Sequence, residues 1–326
     1  MKTSQTILQI IQKEQEVTID ELVKKLSFSR QYIHKVVLQQ LDNNLITKTG
    51  KAPHTYYRLH AEIKNENNST MLLPEVEQFL QQHFITVEAT GNLLEGAAAM
   101  QYWSTQQHLD TAKSANEFVE TRKKYLSYFN NIGLIDGLQK LKNTKGMPEI
   151  EVQALYYLDF NAIERFGKTK LGTLMHYAKQ GQNKNLMKLV VAEIKNRIHY
   201  FLQQHQIDAV LYVPPTIKRK IQIMDYVEKN LQIDLPKIII KKVSNEIIIP
   251  QKALAKLHER IANAKHTFIV PAQKKYATIL IIDDAVGSGA TINEIALKIL
   301  QKKLAKNIIG LSVTGSYNDF EVVSEL

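Results

Sequence analysis

Residues 277–301, ATILIIDDAVGSGATINEIALKILQ, change character three times. Residues 278–282 are a β-branched and aliphatic run, the pattern of a parallel strand buried on both faces. Asp283 and Asp284 then place two adjacent carboxylates at its C-terminal end. Gly287, Ser288, Gly289 and Thr291 form a small-residue loop. From Thr291 onward, Ile292, Ile295, Ala296, Ile299 and Leu300 recur at helical spacing. Strand, acids, loop and helix start, in that order, predict an open α/β sheet with a ligand site at its C-terminal edge.

The chemistry needs this order. Backbone N–H groups from Val286 to Thr291 can converge as a nest at the helix N-terminus, which favours a phosphate. Ser288 and Thr291 hydroxyls add donors, and Gly287 and Gly289 leave room for an anion close to the backbone. Two carboxylates beside that cradle repel phosphate. They suit a diol, or a Mg2+ held near a pyrophosphate. A sugar phosphate with free ribose hydroxyls satisfies all of these groups. The competing reading is a structural turn, since a GxG loop alone is a weak signal and Asp pairs also cap turns. The dinucleotide fingerprint fails because Ile292 stands where its third glycine belongs, and no Gly-Lys-Ser/Thr supplies a Walker loop.

Residues 279–291 resemble the 5-phosphoribosyl-1-pyrophosphate (PRPP) signature of type I phosphoribosyltransferases: a hydrophobic run, two acids, then a Thr/Ser-Gly-x-Thr loop. The resemblance implies that Asp283 and Asp284 contact the ribose hydroxyls. It implies that Ala285, Val286, Gly287, Ser288, Gly289, Ala290 and Thr291 hold the 5'-phosphate. Gly287 and Ser288 stand where two threonines are common, and Ala285 where Val is common.

A second anionic-ligand element lies upstream. Residues 208–213 read as a buried strand ending at Pro214-Pro215-Thr216, followed by Lys218, Arg219 and Lys220 and a helix from Ile221 toward Leu231. This is similar to the ComF-like subgroup of the same family, which has a Val-Pro-x-Pro loop followed by arginine-rich residues. The subgroup's Arg-Gly-x-Asn-Gln is not preserved; Gln222 is its loose echo. Residues 238–240 read as a short strand before Lys241 and Lys242. Gln251, Glu259-Arg260, Asn263 and Phe268 match the subgroup's Gln…Glu-Arg…Asn…Phe pattern. The likeness implies a pyrophosphate side built from Pro214, Pro215, Thr216, Lys218, Lys241 and Lys242. Lys218 and Arg219 would assist Asp283 and Asp284 in catalysis, with Mg2+ arriving with PRPP and no protein ligand to the metal assigned. Arg260 reads as an ion-pairing helix residue more than as a ligand contact. Residues 151–160 read as a strand or hairpin, 166–172 as a glycine-punctuated basic turn, 171–177 and 186–202 as helices, and 308–313 as the last strand. Residues 320–326 read as an edge strand. The family likeness covers about 151–326 and implies a parallel sheet with helices on both faces.

The chain begins differently. Ile7, Leu8, Ile10 and Ile11 give an amphipathic first helix. Thr18 and Glu21 form a capping box before Leu22, Val23 and Leu26. Ser29 caps a third helix with Ile33, Val36, Val37 and Leu41 on one face. Residues 45–48 and 55–59 read as two strands, with at least one of Tyr56 and Tyr57 in the core. Three helices and a hairpin resemble a winged helix-turn-helix domain, in which the third helix enters the major groove of double-stranded DNA. That likeness points to Arg30, Gln31, Tyr32, His34 and Lys35 as base or backbone contacts, and to Lys48, Lys51 and His54 on the wing. A protein-binding winged helix would use the same core.

The expected organisation is thus 1–60 as the reader domain, 61–71 as a polar linker, 72–150 as a mainly helical region, and 151–326 as the phosphoribosyltransferase-like domain. Within 72–150, helices are expected over 74–84, 93–103 and 115–129, with a basic loop at 140–146. Tyr102, Trp103, Tyr125, Tyr128 and Phe129 suit a helical core or dimer face better than a base pocket. The net charge of +10 favours polyanions, whether nucleic acid or phosphorylated ligands. The chain has no cysteine, which excludes disulfides, a thiol nucleophile and cysteine-ligated metal. Residues 1–12 do not read as a signal peptide, and no apolar run reaches membrane-spanning length, so a cytoplasmic protein without membrane contact is expected. Two functions compete: a PRPP-responsive DNA-binding regulator, in which a homodimer would call for a palindromic site, and an active Mg2+-dependent phosphoribosyltransferase.

Overall fold

The structure, a computed structural model, describes residues 3–14, 16–43, 45–51, 54–59, 72–144, 146–147, 149–243, 247, 249, 253–271 and 274–317. Among these residues it is a mixed α/β protein with twelve α-helices and a five-stranded, mainly parallel sheet. The chain divides into two compact units, Met1–Met71 with Ala89–Asn92, and Leu72–Glu88 with Leu93–Leu326. The 61–71 linker and the edge strand expected over 320–326 lie outside the described residues. No helix among the described residues is long and apolar enough to cross a membrane.

The first unit contains α1 (Thr3–Glu14), α2 (Ile19–Leu26), α3 (Arg30–Asp42) and an antiparallel pair, β1 (Ile46–Lys51) and β2 (His54–Leu59). The Thr18 hydroxyl accepts the Glu21 N–H, and the Glu21 carboxylate accepts the Thr18 N–H at 2.7 Å, which starts α2 where the sequence predicts. Ser29 Oγ accepts the Tyr32 N–H at 3.2 Å and starts α3. Ile7, Ile11, Leu22, Ile33 and Val37 form the core, closed by Tyr57 from β2. Tyr57 exchanges backbone hydrogen bonds with Val17, so it points inward while Tyr56 faces out.

The second unit begins with α4 (Pro74–His83), β3 (Ile85–Val87), β4 (Leu93–Glu95), α5 (Gly96–Gln106), α6 (Thr111–Leu126), β5 (Ile135–Asp136) and α7 (Leu138–Asn143). It continues through β6 (Ala154–Phe160), the small pair β7 (Ala162–Ile163) and β8 (Gly167–Lys168), α8 (Lys170–Gln180), α9 (Lys184–Gln204), β9 (Ala209–Tyr212) and α10 (Ile223–Leu231). It ends with β10 (Lys241–Lys242), α11 (Leu257–Thr267), β11 (Phe268–Ile269), β12 (Thr278–Val286), α12 (Ala290–Gln301) and β13 (Asn307–Gly315). The sheet order is β5-β6-β13-β12-β9; β6, β13, β12 and β9 run parallel, and β5 is antiparallel to β6. The strand period of two sorts side chains between two cores. Ile279 and Ile281 join α4, α5, α6 and α12 on one face, while Leu280 and Ile282 join α8, α9 and α10 on the other. Burial on both faces is why residues 278–282 read as an unbroken apolar run.

Four local expectations are corrected. The helix expected from Leu93 begins at Gly96, because residues 93–95 pair with Ile85–Val87. The loop expected over 140–146 is largely α7: Leu138 and Leu141 sit one turn apart and pack into the core, and Asp136 Oδ1 accepts the Leu138 N–H at 2.8 Å. The strand expected at 238–240 is replaced by one bridge from Lys237 to Val210, and Lys241–Lys242 pair with Phe268–Ile269 instead. The helix expected from Ile221 starts at Ile223. Residues 72–150 share their core with the sheet, so no packing boundary falls at 150. Tyr125 is buried and Trp103 packs on Phe166, which is the core use expected of these aromatics.

Candidate functional site

β12 runs through the acid pair, since Ala285 and Val286 still pair with Thr314 and Gly315 of β13. Asp283 and Asp284 therefore sit in the last residues of a strand flanked on both sides, not in a loose turn. The chain leaves the sheet at Gly287 and enters α12 through Gly289, whose φ of +80° disfavours any side chain. A Cβ on Gly289 would lie 2.5 Å from Leu141 Cδ1, so α7 supports this loop from behind. No side chain caps α12, leaving the N–H groups of its first turn available to an anion.

A cavity of about 430 Å³ opens at this edge of the sheet. That volume is in the range of small-molecule sites. All the residues expected to contact the sugar phosphate, the acids Asp283 and Asp284 and the loop Ala285 through Thr291, line it. So do Pro214, Pro215, Thr216 and Arg219 after β9, and Lys242 on β10. Lys218 and Lys241 do not line it; both are exposed to solvent. Lys241 and Lys242 are successive residues of a strand, so they face opposite sides and only Lys242 reaches the cavity. Pro250, Gln251 and Lys252 lie outside the described residues.

The electrostatics divide the acid pair. Asp283 accepts the Asp284 N–H at 2.7 Å. Its residue retains some exposure, but its carboxyl is enclosed, and burial, then the Asp284 charge, push its pKa up to about 7. The Asp284 N–H, Lys179 and Lys242 pull in the other direction without prevailing. Asp284 forms an ion pair with Lys179 Nζ. Lys242 Nζ donates to Thr216 Oγ1 at 2.6 Å and lies 4.5 Å from the centroid of the Phe268 ring. Burial holds the Lys242 pKa below the usual ammonium value, with Asp283 opposing. The cavity thus places one readily neutralised carboxyl and one paired carboxylate beside cationic side chains and helix N–H groups.

Sequence reasoning missed the wall contributed by α8, which brings His176, Lys179 and Gln180 to the cavity. Thr169 fixes the start of that helix, accepting the Gly172 N–H at 3.0 Å and donating to the Phe160 carbonyl at 2.6 Å. A Cβ at Gly172 would lie 2.1 Å from the Asn161 carbonyl oxygen, so α8 closely approaches the end of β6. Lys179 stands two turns along. The available signal was the stripe of residues 175, 176, 179 and 180, which mixes Met with polar side chains beside the apolar face of Leu171, Leu174 and Ala178. Arg219 donates to Gln180 at 3.4 Å, which joins the basic loop to the same helix. Arg260, read as structural, donates through Nε to the Leu254 carbonyl at 2.9 Å and also lines the cavity.

In the first unit, Arg30, Gln31, Tyr32, His34 and Lys35 are exposed, as their positions off the buried Ile33–Val36–Val37 stripe of α3 require, and Lys48 on β1 is exposed as well. Arg30 pairs with Asp20, and Tyr32 donates to Thr3 Oγ1 at 3.3 Å. The side chains of Lys51 and His54 lie outside the described residues. Compared with protein-family models and with curated protein sequences, the chain matches none.

Proposed function

We propose that the second unit binds PRPP or a closely related ribose phosphate, and that the first is a winged helix-turn-helix reader of double-stranded DNA whose occupancy responds to that ligand. One observation carries the ligand reading: the Asp283–Asp284 pair and the uncapped glycine loop after it share one cavity at the C-terminal end of an inner parallel strand. The acids suit the ribose hydroxyls, and the N–H groups of α12 suit the 5'-phosphate. Arg219 and Lys242, with Arg260, suit a second phosphate group. The DNA reading rests on the exposed polar and basic face of α3 and on the net charge of +10.

The residues do not fit a Mg2+ held by the protein. The Asp284 carboxylate is already paired with Lys179, so the acid pair does not offer two free carboxylates to a metal ion. Mg2+ would come and go on the ligand's own pyrophosphate oxygens.

Calorimetry with PRPP tests the ligand reading. Asp283→Asn with Asp284→Asn is expected to weaken PRPP binding by at least about tenfold while inorganic phosphate still binds. Undiminished PRPP affinity in the double variant would sink it. Binding-site selection from genomic DNA, with and without PRPP and Mg2+, tests the regulator. A defined site whose occupancy changes with PRPP supports it, and no DNA affinity above background at low salt removes it.

A second reading, active transferase, is favoured by Lys242 and Arg219 on the cavity wall. Here a nucleobase nitrogen forms the bond to ribose C1 as the C1–O bond to pyrophosphate breaks. Pyrophosphate leaves with the electron pair; an N–H base then loses its proton to solvent, and a pyridine nitrogen such as that of nicotinate has none to lose. The cations would stabilise the leaving group. Pyrophosphate release with any of a panel of purines, pyrimidines, orotate and nicotinate would put this reading in front.

A further inference from the structure

We propose that the Lys179 ammonium, not a divalent metal ion, is the resident counter-ion of the Asp283–Asp284 pair, so that the ribose-phosphate end of the ligand binds without metal. The second half rests on the ligand reading above; the first does not.

Lys179 Nζ is ion-paired with Asp284 Oδ2, and the two side chains are only 28% and 16% exposed. A pair this enclosed is screened far less than one on the surface. The Asp284 N–H already occupies Asp283 Oδ1 at 2.7 Å. Lys242 attracts Asp283 from β10. Counted at full charge, two carboxylates already face two ammonium groups. A divalent cation would enter a balanced cluster and meet Lys179 at close range. Mg2+ keeps several of its waters and is held through one or two carboxylates; here Lys179 already occupies Asp284 and the Asp284 N–H engages Asp283.

The ammonium is held by the fold. Thr169 and Gly172 pin the start of α8 against the end of β6, and Lys179 projects from that helix two turns later. The cation is therefore in place before any ligand arrives. It holds Asp284 in place as an acceptor for a ribose hydroxyl. Ribose 5-phosphate, which has no pyrophosphate to carry Mg2+, isolates this function.

The test uses the full chain in two measurements. In the first, Mn2+ alone is titrated and followed by electron paramagnetic resonance. The wild type and Lys179→Arg are expected to take up no Mn2+ at the acid pair. Lys179→Ala should gain one site, which a further Asp284→Asn abolishes. Lys179→Met, which keeps the aliphatic stem, serves if the alanine variant does not fold. Mn2+ uptake by the wild type that Asp284→Asn removes, or no uptake by either neutral variant, overturns the counter-ion assignment. In the second measurement, ribose 5-phosphate is titrated by calorimetry in chelator and in excess Mg2+. Wild-type affinity should be equal in both. Lys179→Ala should lose about tenfold or more in chelator and recover part of it in Mg2+. Undiminished affinity in chelator without the ammonium overturns its role toward the ligand. If the Mn2+ results hold while no form of the protein takes ribose 5-phosphate, the ligand reading fails and the counter-ion assignment stands.

Discussion

Asp283 sits at the end of β12 in surroundings that favour its neutral form, with a pKa near 7 against 3.8 in the absence of structure. Between those values the folded protein binds a proton that the unfolded chain releases, so this group makes stability fall as pH rises from about 4 to 7, with the full deficit above 7. His83 acts in the opposite sense. Burial, then Arg122, lower its pKa to about 4, and the stability tied to it falls as pH drops from 6.5 towards 4. Comparison with Asp283→Asn separates the two. The variant is expected to match the wild type in urea unfolding at pH 4 and to exceed it at pH 8. Each pKa unit corresponds to about 1.4 kcal/mol, and with some solvent reaching the residue the gain should be on the order of 2 kcal/mol. No difference between the two pH values would contradict this account of the carboxyl. The acids and the glycine loop were legible because strand, acids and helix start are contiguous. Lys179 was not, because its partner lies 105 residues away and only the packing of α8 brings them together.

At the scale of elements, α6 and β6 are joined by a bidentate pair: Arg122 donates to both Asp159 oxygens at 2.9 and 2.8 Å, with both side chains buried. Asp159 also accepts the Phe160 N–H at 2.8 Å. Removing one partner leaves a buried charge, so Arg122→Ala is expected to lose about 3–5 kcal/mol in urea unfolding. Arg122→Met with Asp159→Asn removes both charges and keeps an acceptor for Phe160, and should cost clearly less than Arg122→Ala alone. Equal costs would mean that the charge is not what binds these elements. A second contact joins α7 to the phosphate loop. Gly289→Ala demands a side chain at φ +80° and 2.5 Å from Leu141, so it should weaken inorganic phosphate binding in calorimetry. Adding Leu141→Ala relieves the clash but not the backbone conformation, and should restore only part of the affinity. Full restoration would show that the backbone conformation carries none of the penalty. Within 72–150 the longer helices were legible and α7 was not, because a six-residue helix carries too little periodicity. Periodicity is in any case local and does not name the sheet that buries the stripe. That is why residues such as Leu141, which hold up the site, had no role assigned from sequence.

For the whole molecule, two compact units on one chain raise the question of coupling, and charge gives the first handle on it. The exposed face of α3 was legible because Ile33, Val36 and Val37 fix which side of the helix is buried, and everything else follows from the 3.6-residue period. If α3 meets DNA phosphates through Arg30 and Lys35, log affinity should fall linearly with log salt. Each alanine substitution should reduce the slope by about 0.9. Arg30 must first leave Asp20, so its variant should lose less affinity than Lys35→Ala. If the two units are coupled, PRPP changes DNA affinity by some factor, and DNA must change PRPP affinity by the same factor. The expected size is about 5- to 150-fold. Both sides can be measured on the full chain, one by DNA titration at saturating PRPP and one by calorimetry at saturating DNA. Agreement between the factors is required of true coupling. The shape of the dependence separates regulation from competition between two polyanions for the same basic surface. In competition each ligand lowers the other's affinity without limit as its concentration rises; in coupling the effect reaches a plateau. The Asp283→Asn, Asp284→Asn protein should show no plateau shift and retain its basal DNA affinity. A regulator therefore requires three results together: equal factors, a plateau, and loss of the shift when the acid pair is removed. If DNA and PRPP each bind but neither affects the other, the two units act separately, and the transferase reading becomes the stronger one.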